Sequence, residues 1–106
     1  MSYRVTFHPA VTRDLDRIAR RLLPLAGPRS TARVIETLRD AARSLSETPH
    51  RGTLRHDILP GLRAIPAGRR GVICFTVNDE TRTVLVHLLA WGGTDWQARV
   101  PTRPAP

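Results

Sequence analysis

The sequence has 106 residues, and 17 Lys+Arg against 9 Asp+Glu give it a formal net charge of +8 at pH 7. This length excludes two separately cored domains, and a hydrophobic fraction of 41% excludes a disordered basic tail, so we expect one packed domain over residues 3–100. The single cysteine, Cys74, excludes an intramolecular disulfide, and no stretch has the pattern of a signal peptide or of a membrane span of roughly 18 apolar residues, so we expect a cytoplasmic protein.

The first half of the chain predicts one strand and two helices. Residues 3–8 alternate between apolar and polar side chains, as in a half-buried strand. From Ala10 the apolar residues recur at helical spacing until Pro24–Pro28 interrupts them. A second amphipathic pattern runs from about Ser30 to Glu47. Two such helices joined by a short Pro/Gly turn form an antiparallel hairpin with an apolar face to bury.

The second half predicts three strands and a short helix. Thr48–Pro60 has few apolar residues and is interpreted as an irregular connection. The strands are expected at Gly61–Pro66, Gly71–Val77 and Thr83–Trp91, with turns between them. The pattern Thr94-Asp95-Trp96-Gln97 is a capping box, which predicts a helix start.

The order of elements predicts an α+β fold. The order is strand, helix, helix, strand, strand, strand, and the last three strands must be antiparallel because short turns join them. We therefore expect a mainly antiparallel sheet that the helical hairpin covers on one face, with the other face partly open and a short C-terminal helix. Residues 101–106 are expected to form a disordered tail.

All 17 basic residues are arginines, since the sequence contains no lysine. Arginine stays protonated, and its planar fork binds carboxylates and phosphates. The densest positive stretch lies between residues 50 and 70, where Asp57 is the only acid. It predicts a site for phosphate or for an acidic protein strip, and a solvated basic edge that discourages strand pairing explains it equally well. The five candidate residues are Arg51, Arg55, Arg63, Arg69 and Arg70.

The sequence predicts no metal site, no cofactor and no catalytic residue. The histidines are scattered, and motifs for thiolate metal sites, phosphate-binding glycine loops and activated nucleophiles are missing. Cleavage of RNA would need a base, an acid and cations around the phosphate. Arg63 supplies only a cation, and the available bases are His50, His56, His87 and Asp95. Nothing in the sequence shows that any of them lies near Arg63.

Several segments, taken in their order and spacing, match one known family. They are the opening Tyr3–Ala10 with Asp14–Ile18, the helix end Leu45–Pro49 with Gly52, the strand entry Pro60–Arg63, the central strand Gly68–Phe75, and the ending that contains Gly92, Gly93, Asp95 and Trp96. With these features the sequence resembles ParE-type toxins of the ParE/RelE superfamily over residues 3–100. Each motif is weak by itself, and the combination is moderately specific.

The resemblance implies a growth-inhibiting toxin of a type II toxin-antitoxin module, of the kind associated with plasmid stabilisation. A cognate antitoxin would hold it inactive in a hetero-oligomer, and a +8 surface with an open apolar face suits an acidic amphipathic partner segment. ParE-like members act on DNA gyrase, whereas RelE-like members cut mRNA on the ribosome.

The departures from the family pattern favour the gyrase branch. The ribonuclease branch tends to carry Lys or Arg pairs on the sheet and a Tyr or His near the carboxyl end. Arg63 is the candidate for the strand arginine, but Trp96 stands near the place of the terminal Tyr or His. A RelE-like endoribonuclease that holds phosphate with Arg63, Arg69 and Arg70 is the alternative. A plain nucleic-acid-binding module is the third interpretation, which an aromatic content of 5% disfavours because base stacking needs aromatic platforms.

Overall fold

The computed structural model describes residues 2–93 and 95–106. The strands and helices follow in the predicted order, with one short strand added. Their bounds are β1 Arg4–Phe7, α1 Val11–Ser44, β2 Thr53–Leu54, β3 Arg63–Ala67, β4 Gly71–Asn78, β5 Thr83–Trp91 and α2 Trp96–Arg99, after which Val100–Thr102 forms a 3-10 turn. The predicted mainly antiparallel α+β fold is confirmed.

The sheet has the strand order β1-β5-β4-β3-β2. β3, β4 and β5 pair antiparallel, as their short connections require. β1 pairs parallel with β5, from which the helical segment and three strands separate it in the chain. β2 was predicted as part of an irregular connection. Its two residues, Thr53 and Leu54, are exposed and carry no alternating pattern, so only their pairing with β3 makes them a strand.

The helical hairpin is continuous except at Gly27, whose φ of 81° and ψ of 172° no helix contains. This region of backbone space is essentially restricted to glycine. The turn was predicted to span Pro24–Pro28, but the first arm continues through Pro24, and Pro28 lies where a helix start tolerates the missing N–H. The second arm ends at Ser44, before the predicted Glu47. Val11 and Leu15 line a recess with Arg39 and Arg43, which places the two arms side by side and antiparallel.

Apolar clusters lie on both faces of the sheet. The larger cluster, between the sheet and the helical hairpin, is built around Ile18, Leu38, Ile73, Phe75 and Val86. The sheet face turned away from the hairpin, which we call the outer face, carries a second buried cluster. Its members are Leu62, Cys74, Leu88, Ala90 and Val100, with Trp96 packed against them.

The outer face was predicted to be partly open, and the structure covers one half of it. The loop before β3, with Ile58 and Leu59, and the C-terminal α2 and 3-10 turn lie over that half. The other half is open, with Thr76 and Leu85 lining a recess beside the β4–β5 turn. The C-terminal segment therefore decides how much of the sheet remains accessible.

Candidate functional site

A polar cluster lies where β3 begins, and it contains one of the five predicted arginines. The Tyr3 hydroxyl donates to Asp79 Oδ1 at 2.7 Å, and His50 Nε2 lies 2.7 Å from the same oxygen. Arg63 Nη1 donates to the His50 carbonyl oxygen at 3.0 Å. The hydrogen bond with Asp79 raises the pKa of Tyr3, and the bonds from Tyr3 and His50 lower the pKa of Asp79.

Arg51 and Arg55 are used by contacts within the protein. Arg51 Nη2 donates to Ser44 Oγ at 3.1 Å. The Arg55 guanidinium binds both carboxylate oxygens of Asp57 at 3.0 Å, and it lies 5.5 Å from the centre of the Trp96 ring. The hydrogen bond to Asp57 raises the pKa of Arg55 and lowers that of Asp57. Arg55 therefore helps to hold Trp96 on the outer face through a cation–π contact.

Arg69 and Arg70 lie at the opposite end of β3 from Arg63, in the turn to β4. A strand of five residues separates them, which is about 17 Å at the usual rise. The structure therefore does not bring the five predicted arginines together: Arg51 and Arg63 lie at one end of the strand and Arg69 and Arg70 at the other.

Arg70 instead lies near Arg21 of the first helical arm. A Cβ placed on Gly92 would be 3.5 Å from Arg70 Nη2 and 3.9 Å from Arg21 Nη2, so the two guanidinium groups flank this glycine. Arg21 belongs to a charged recess on the same arm, and the arginines there are exposed and lie on one helical flank. We call the surface formed by these residues the arginine face. Its members are Arg13, Arg17, Arg20, Arg21, Arg69 and Arg70.

The predicted C-terminal motif consists of Gly92, Gly93, Asp95 and Trp96, and the contacts of these residues are structural. Gly92 has a φ of 79°, and its N–H donates to the Arg70 carbonyl oxygen at 2.9 Å. Asp95 precedes α2 but makes no side-chain cap, and Trp96 packs on the outer face. The predicted capping residue Thr94 lies outside the described residues. The motif therefore turns the chain from β5 onto the outer face.

Asp14 and two C-terminal arginines form a buried cluster that the sequence did not predict. Asp14 is 2% exposed although it is charged. Arg99 Nη2 donates to Oδ1 at 2.6 Å, and Arg103 donates to Oδ2 at 2.9 Å and also to Oδ1. Burial lowers the pKa of Arg99, and the Asp14 carboxylate opposes that shift. The available signal was the position of Asp14 among Val11 and Ile18 on the apolar stripe of the helix.

The same cluster completes the hydrogen bonding of β5. β1 ends at Phe7, and the last backbone hydrogen bond from this part of the chain to β5 runs from the His8 N–H to the Val86 carbonyl. Beyond it, Arg103 Nη1 donates to the His87 carbonyl at 2.7 Å, and Leu89 N–H donates to Asp14 Oδ2 at 3.1 Å. The ion pair thus satisfies backbone groups that a longer β1 would have paired.

Arg103 and Pro104 belong to the segment that was predicted as a disordered tail, yet both contact the folded body. His8 Nε2 lies 2.6 Å from the Pro104 carbonyl oxygen, and its Nδ1 accepts the Ala10 N–H at 3.0 Å, which assigns the ring proton to Nε2. The C-terminal segment is therefore fastened beside the start of α1.

The two remaining histidines have structural partners. His56 Nδ1 accepts the Gly61 N–H, and His87 Nε2 lies 2.9 Å from Thr76 Oγ1. Burial raises the pKa of the Cys74 thiol to about 12, so it stays protonated and is a poor nucleophile at neutral pH. Among residues 2–93 and 95–106, no three His, Cys, Asp or Glu side chains are grouped so that they could hold a metal ion.

An apolar groove lies on the flank of the first arm opposite the arginine face. It has a volume of about 310 Å³, and Phe7, Val11, Leu15 and Leu89 form its apolar walls. Thr12 completes the lining, and Arg39 and Arg43 stand at its edge from the second arm. Phe7 is 46% exposed there, so part of its ring is open to a partner.

Comparison with known proteins places the chain beside toxins. Residues 5–90 match the family described as the ParE toxin of the type II toxin-antitoxin system, parDE. No curated protein sequence matches. In the part of the chain that the structure describes, no helix is long and apolar enough to span a membrane.

Three solved structures share the fold. A chain of the chromosomal ParDE system from P. aeruginosa has a TM-score of 0.72 at 17% identity, with 86% of this chain and 97% of that chain covered. The RelBE2 toxin-antitoxin complex from Mycobacterium tuberculosis has a TM-score of 0.58 at 23% identity, with 86% of this chain and 99% of that chain covered. A mutant of the E. coli toxin RelE in the free state has a TM-score of 0.65 at 16% identity, covering 95% of both chains.

Proposed function

The chain belongs to the ParE toxin family of type II toxin-antitoxin systems, and from this premise we propose that it inhibits DNA gyrase without chemistry of its own and is neutralised by a cognate acidic antitoxin. The fold itself does not choose the target, because both ParE-type and RelE-type proteins share it. The choice has to come from the residues that this chain presents.

The outer face of the sheet is the observation that supports a non-nucleolytic toxin. Its covered half is lined by Cys74, Leu88 and Ala90 and lies under α2 and the 3-10 turn. Cleavage of RNA requires a proton acceptor, a proton donor and cations around one phosphate. Apolar side chains under a C-terminal cover supply none of them. The cations near Cys74 already have carboxylate partners, since Arg55 binds Asp57 and both Arg99 and Arg103 bind Asp14.

The alternative, an mRNA endoribonuclease, has one observation in its favour, the polar cluster at the start of β3. His50 and Asp79 form a pair in which a carboxylate orients an imidazole, and Arg63 lies beside them. However, Arg63 Nη1 already donates to the chain's own carbonyls, and the Tyr3 hydroxyl already donates to Asp79. The cluster therefore ties the loop after α1 to β1 and the β4–β5 turn.

Two assays on the same protein separate these functions. We expect inhibition of gyrase supercoiling and no cleavage of ribosome-engaged mRNA. The substitution His50→Ala should leave the inhibition unchanged, and His56→Ala, at a histidine in the same loop, is its control. Cleaved transcripts, with cleavage lost in His50→Ala and kept in His56→Ala, would establish the ribonuclease and refute the gyrase proposal.

For the antitoxin we propose the apolar groove as the docking site. Its walls match the apolar face of an amphipathic segment, and Arg39 at its edge forms no ion pair with a described residue, so it is available to an acidic partner. This assignment differs from the expectation that the partner covers the open sheet face. The open half of that face has Asp79 and Glu80 at its edge, and their carboxylates repel an acidic segment.

The groove can be tested with two exposed residues of equal accessibility. Phe7 and Leu23 are both 46% exposed, but only Phe7 lines the groove. We expect Phe7→Glu to weaken antitoxin binding by tenfold or more, since an apolar anchor is replaced by a charge that repels the partner. Leu23→Glu should bind like the native chain in the same calorimetric titration. Equal affinities for both variants would show that the antitoxin docks elsewhere.

A further inference from the structure

We propose that the arginine face binds the phosphate backbone of double-stranded DNA without reading its sequence. The proposal goes beyond the inhibition of gyrase, because it concerns DNA alone. It begins from the six exposed arginines of this face, none of which forms an ion pair with a described residue. Elsewhere on the structure Arg43, Arg55, Arg99 and Arg103 each have a carboxylate partner.

The helical arginines have a spacing suited to a run of phosphates. Arg13, Arg17 and Arg21 are four residues apart, so successive guanidinium groups start about 6 Å apart along one flank of the helix. Arg20 stands beside them, and Asp16 is the only acid in the recess that they line. Like charges this close repel one another in the free protein, so a bound polyanion relieves an unfavourable interaction as well as making new hydrogen bonds.

The face continues from the helix to the sheet across Gly92. This residue has no side chain to separate Arg21 from Arg70, and both guanidinium groups lie within 4 Å of the position that a Cβ would occupy. Arg69 is exposed next to Arg70 in the same turn. The cations therefore form one surface with contributions from two elements that are distant in sequence.

The composition of this surface selects DNA backbone among polyanions. A protein interface normally has an apolar core inside a polar rim, but the recess between Arg13 and Arg21 is lined by charged residues only. Single-stranded nucleic acid is held by bases stacked on aromatic rings. The nearest aromatic ring, Trp91, is partly buried against the helix-side core and lines a second recess with Arg21 and Arg70. The helical recess formed by Arg13, Arg17 and Arg20 has no aromatic lining. Backbone phosphates require only cations and hydrogen-bond donors, which this face supplies.

The experiment is a salt titration of binding to a 20-base-pair DNA duplex, measured by fluorescence anisotropy with the isolated protein. The slope of log K against log[salt] counts the neutralised phosphates at about 0.9 per contact. We expect Arg17→Gln/Arg21→Gln to flatten the slope by about 2 and to weaken binding at least tenfold at 0.1 M salt. Arg29→Gln/Arg33→Gln removes the same charge, at the same four-residue spacing, from exposed positions on the second arm and should keep the native slope.

Three outcomes would overturn the proposal. The first is equal loss in the two double variants, because net charge and not this face would then govern binding. The second is tighter binding of single-stranded DNA than of the duplex. The third is the absence of any salt-dependent binding.

The outcome is independent of the target assay. Gyrase assays contain DNA, so supercoiling should be tested with Arg17→Gln/Arg21→Gln as well. Inhibition that persists in this variant after duplex binding is lost supports the gyrase proposal and the DNA proposal separately. Failure of the native protein to inhibit gyrase would leave the DNA measurement unaffected.

Discussion

Asp14 is the residue through which the C-terminal segment is fastened to the rest of the molecule. Its carboxylate binds Arg99, Arg103 and the Leu89 N–H at once, and it is almost fully buried. A buried charge of this kind is tolerated only when every lone pair has a donor. The three donors come from β5, α2 and the segment after it, so a single side chain joins three parts of the fold.

Replacement of this carboxylate should be costly. We expect Asp14→Asn to lower the free energy of unfolding by about 3 kcal/mol, because two partly buried guanidinium groups lose their counter-charge. Urea denaturation measures the change, and Asp16→Asn, an exposed acid two residues later on the same arm, is the matched control. A loss of similar size in both variants would show that the effect comes from overall charge and not from the buried cluster.

His87 makes stability depend on pH. Burial, with the nearby charges of His8 and Arg103, lowers the pKa of His87 below its ordinary value. Above that ordinary value, about 6.5, the ring is neutral in both the folded and the unfolded protein, and its contribution to stability is fully present. As the pH falls through 6.5 the unfolded chain takes up the proton first, so the contribution declines until the folded ring is protonated as well.

The test is the melting temperature between pH 8 and pH 5. We expect His87→Asn to show a smaller fall of Tm on acidification than the native chain does. The melting temperature of His56→Asn, at an exposed histidine in the loop before β3, should fall as that of the native chain does. If His87→Asn falls as steeply as the native chain, the ring at position 87 is not the group that titrates.

At the scale of elements, the hairpin depends on one glycine. Gly27 adopts φ 81° and ψ 172°. The Thr31 hydroxyl donates to the Gly27 carbonyl oxygen at 2.8 Å, which fixes the turn to the start of the second arm. Because an L-residue rarely enters this region, we expect Gly27→Ala to destabilise the protein by about 1–3 kcal/mol.

Gly93→Ala is the control for that substitution, since Gly93 has open space around it and no left-handed φ. It should change the free energy of unfolding little. A Gly27→Ala variant as stable as the native chain would mean that the two arms can reverse by another route.

The elements that sequence patterns predicted are those defined by their own side chains. β5 was predicted with its observed bounds, Thr83–Trp91, because an apolar, β-branched run ended by a glycine is a local signal. β2 escaped prediction since Thr53 and Leu54 are exposed and become a strand only by pairing with β3. Pro24 was taken as a helix end, although the first arm tolerates it. Local patterns thus determined the order of elements but not every boundary.

The candidate site was predicted less well because it depends on contacts between distant residues. Asp14 and Arg103 are 89 positions apart, and no local pattern connects them. The predicted grouping of Arg63 with Arg69 and Arg70 followed their closeness in sequence, but β3 holds them at opposite ends. The pairing of Arg70 with Arg21 across Gly92 arises only when the hairpin packs on the sheet.

At the scale of the whole molecule, the first helical arm separates two surfaces of different chemistry. Leu15 turns toward the apolar groove, while Arg17 and Arg21 lie on the opposite flank. Surfaces that share no residue should contribute independently to binding. The antitoxin and DNA are therefore expected to occupy the protein at the same time.

This independence can be measured with the variants already described. We expect Phe7→Glu to leave the affinity for duplex DNA unchanged within about twofold. Arg17→Gln/Arg21→Gln should leave the affinity for the antitoxin unchanged within the same limit. The variant that combines all three substitutions should show both losses, each of the same size as in the separate variants. Calorimetry measures the affinity of each variant for the antitoxin, and fluorescence anisotropy measures its affinity for the duplex. Strong coupling would mean that the two surfaces overlap or that one ligand reshapes the other's site.

The ion pair at the end of β5 has a further consequence, for the behaviour of many copies in solution. Backbone groups left open at a sheet edge recruit strands from neighbouring molecules. Asp14 and Arg103 occupy the Leu89 N–H and the His87 carbonyl with side chains, which cannot propagate a ladder. The charged cluster therefore acts as a barrier to fibrillar self-assembly, and a preparation in which it is broken should convert to insoluble β-rich aggregates sooner than one in which it is intact.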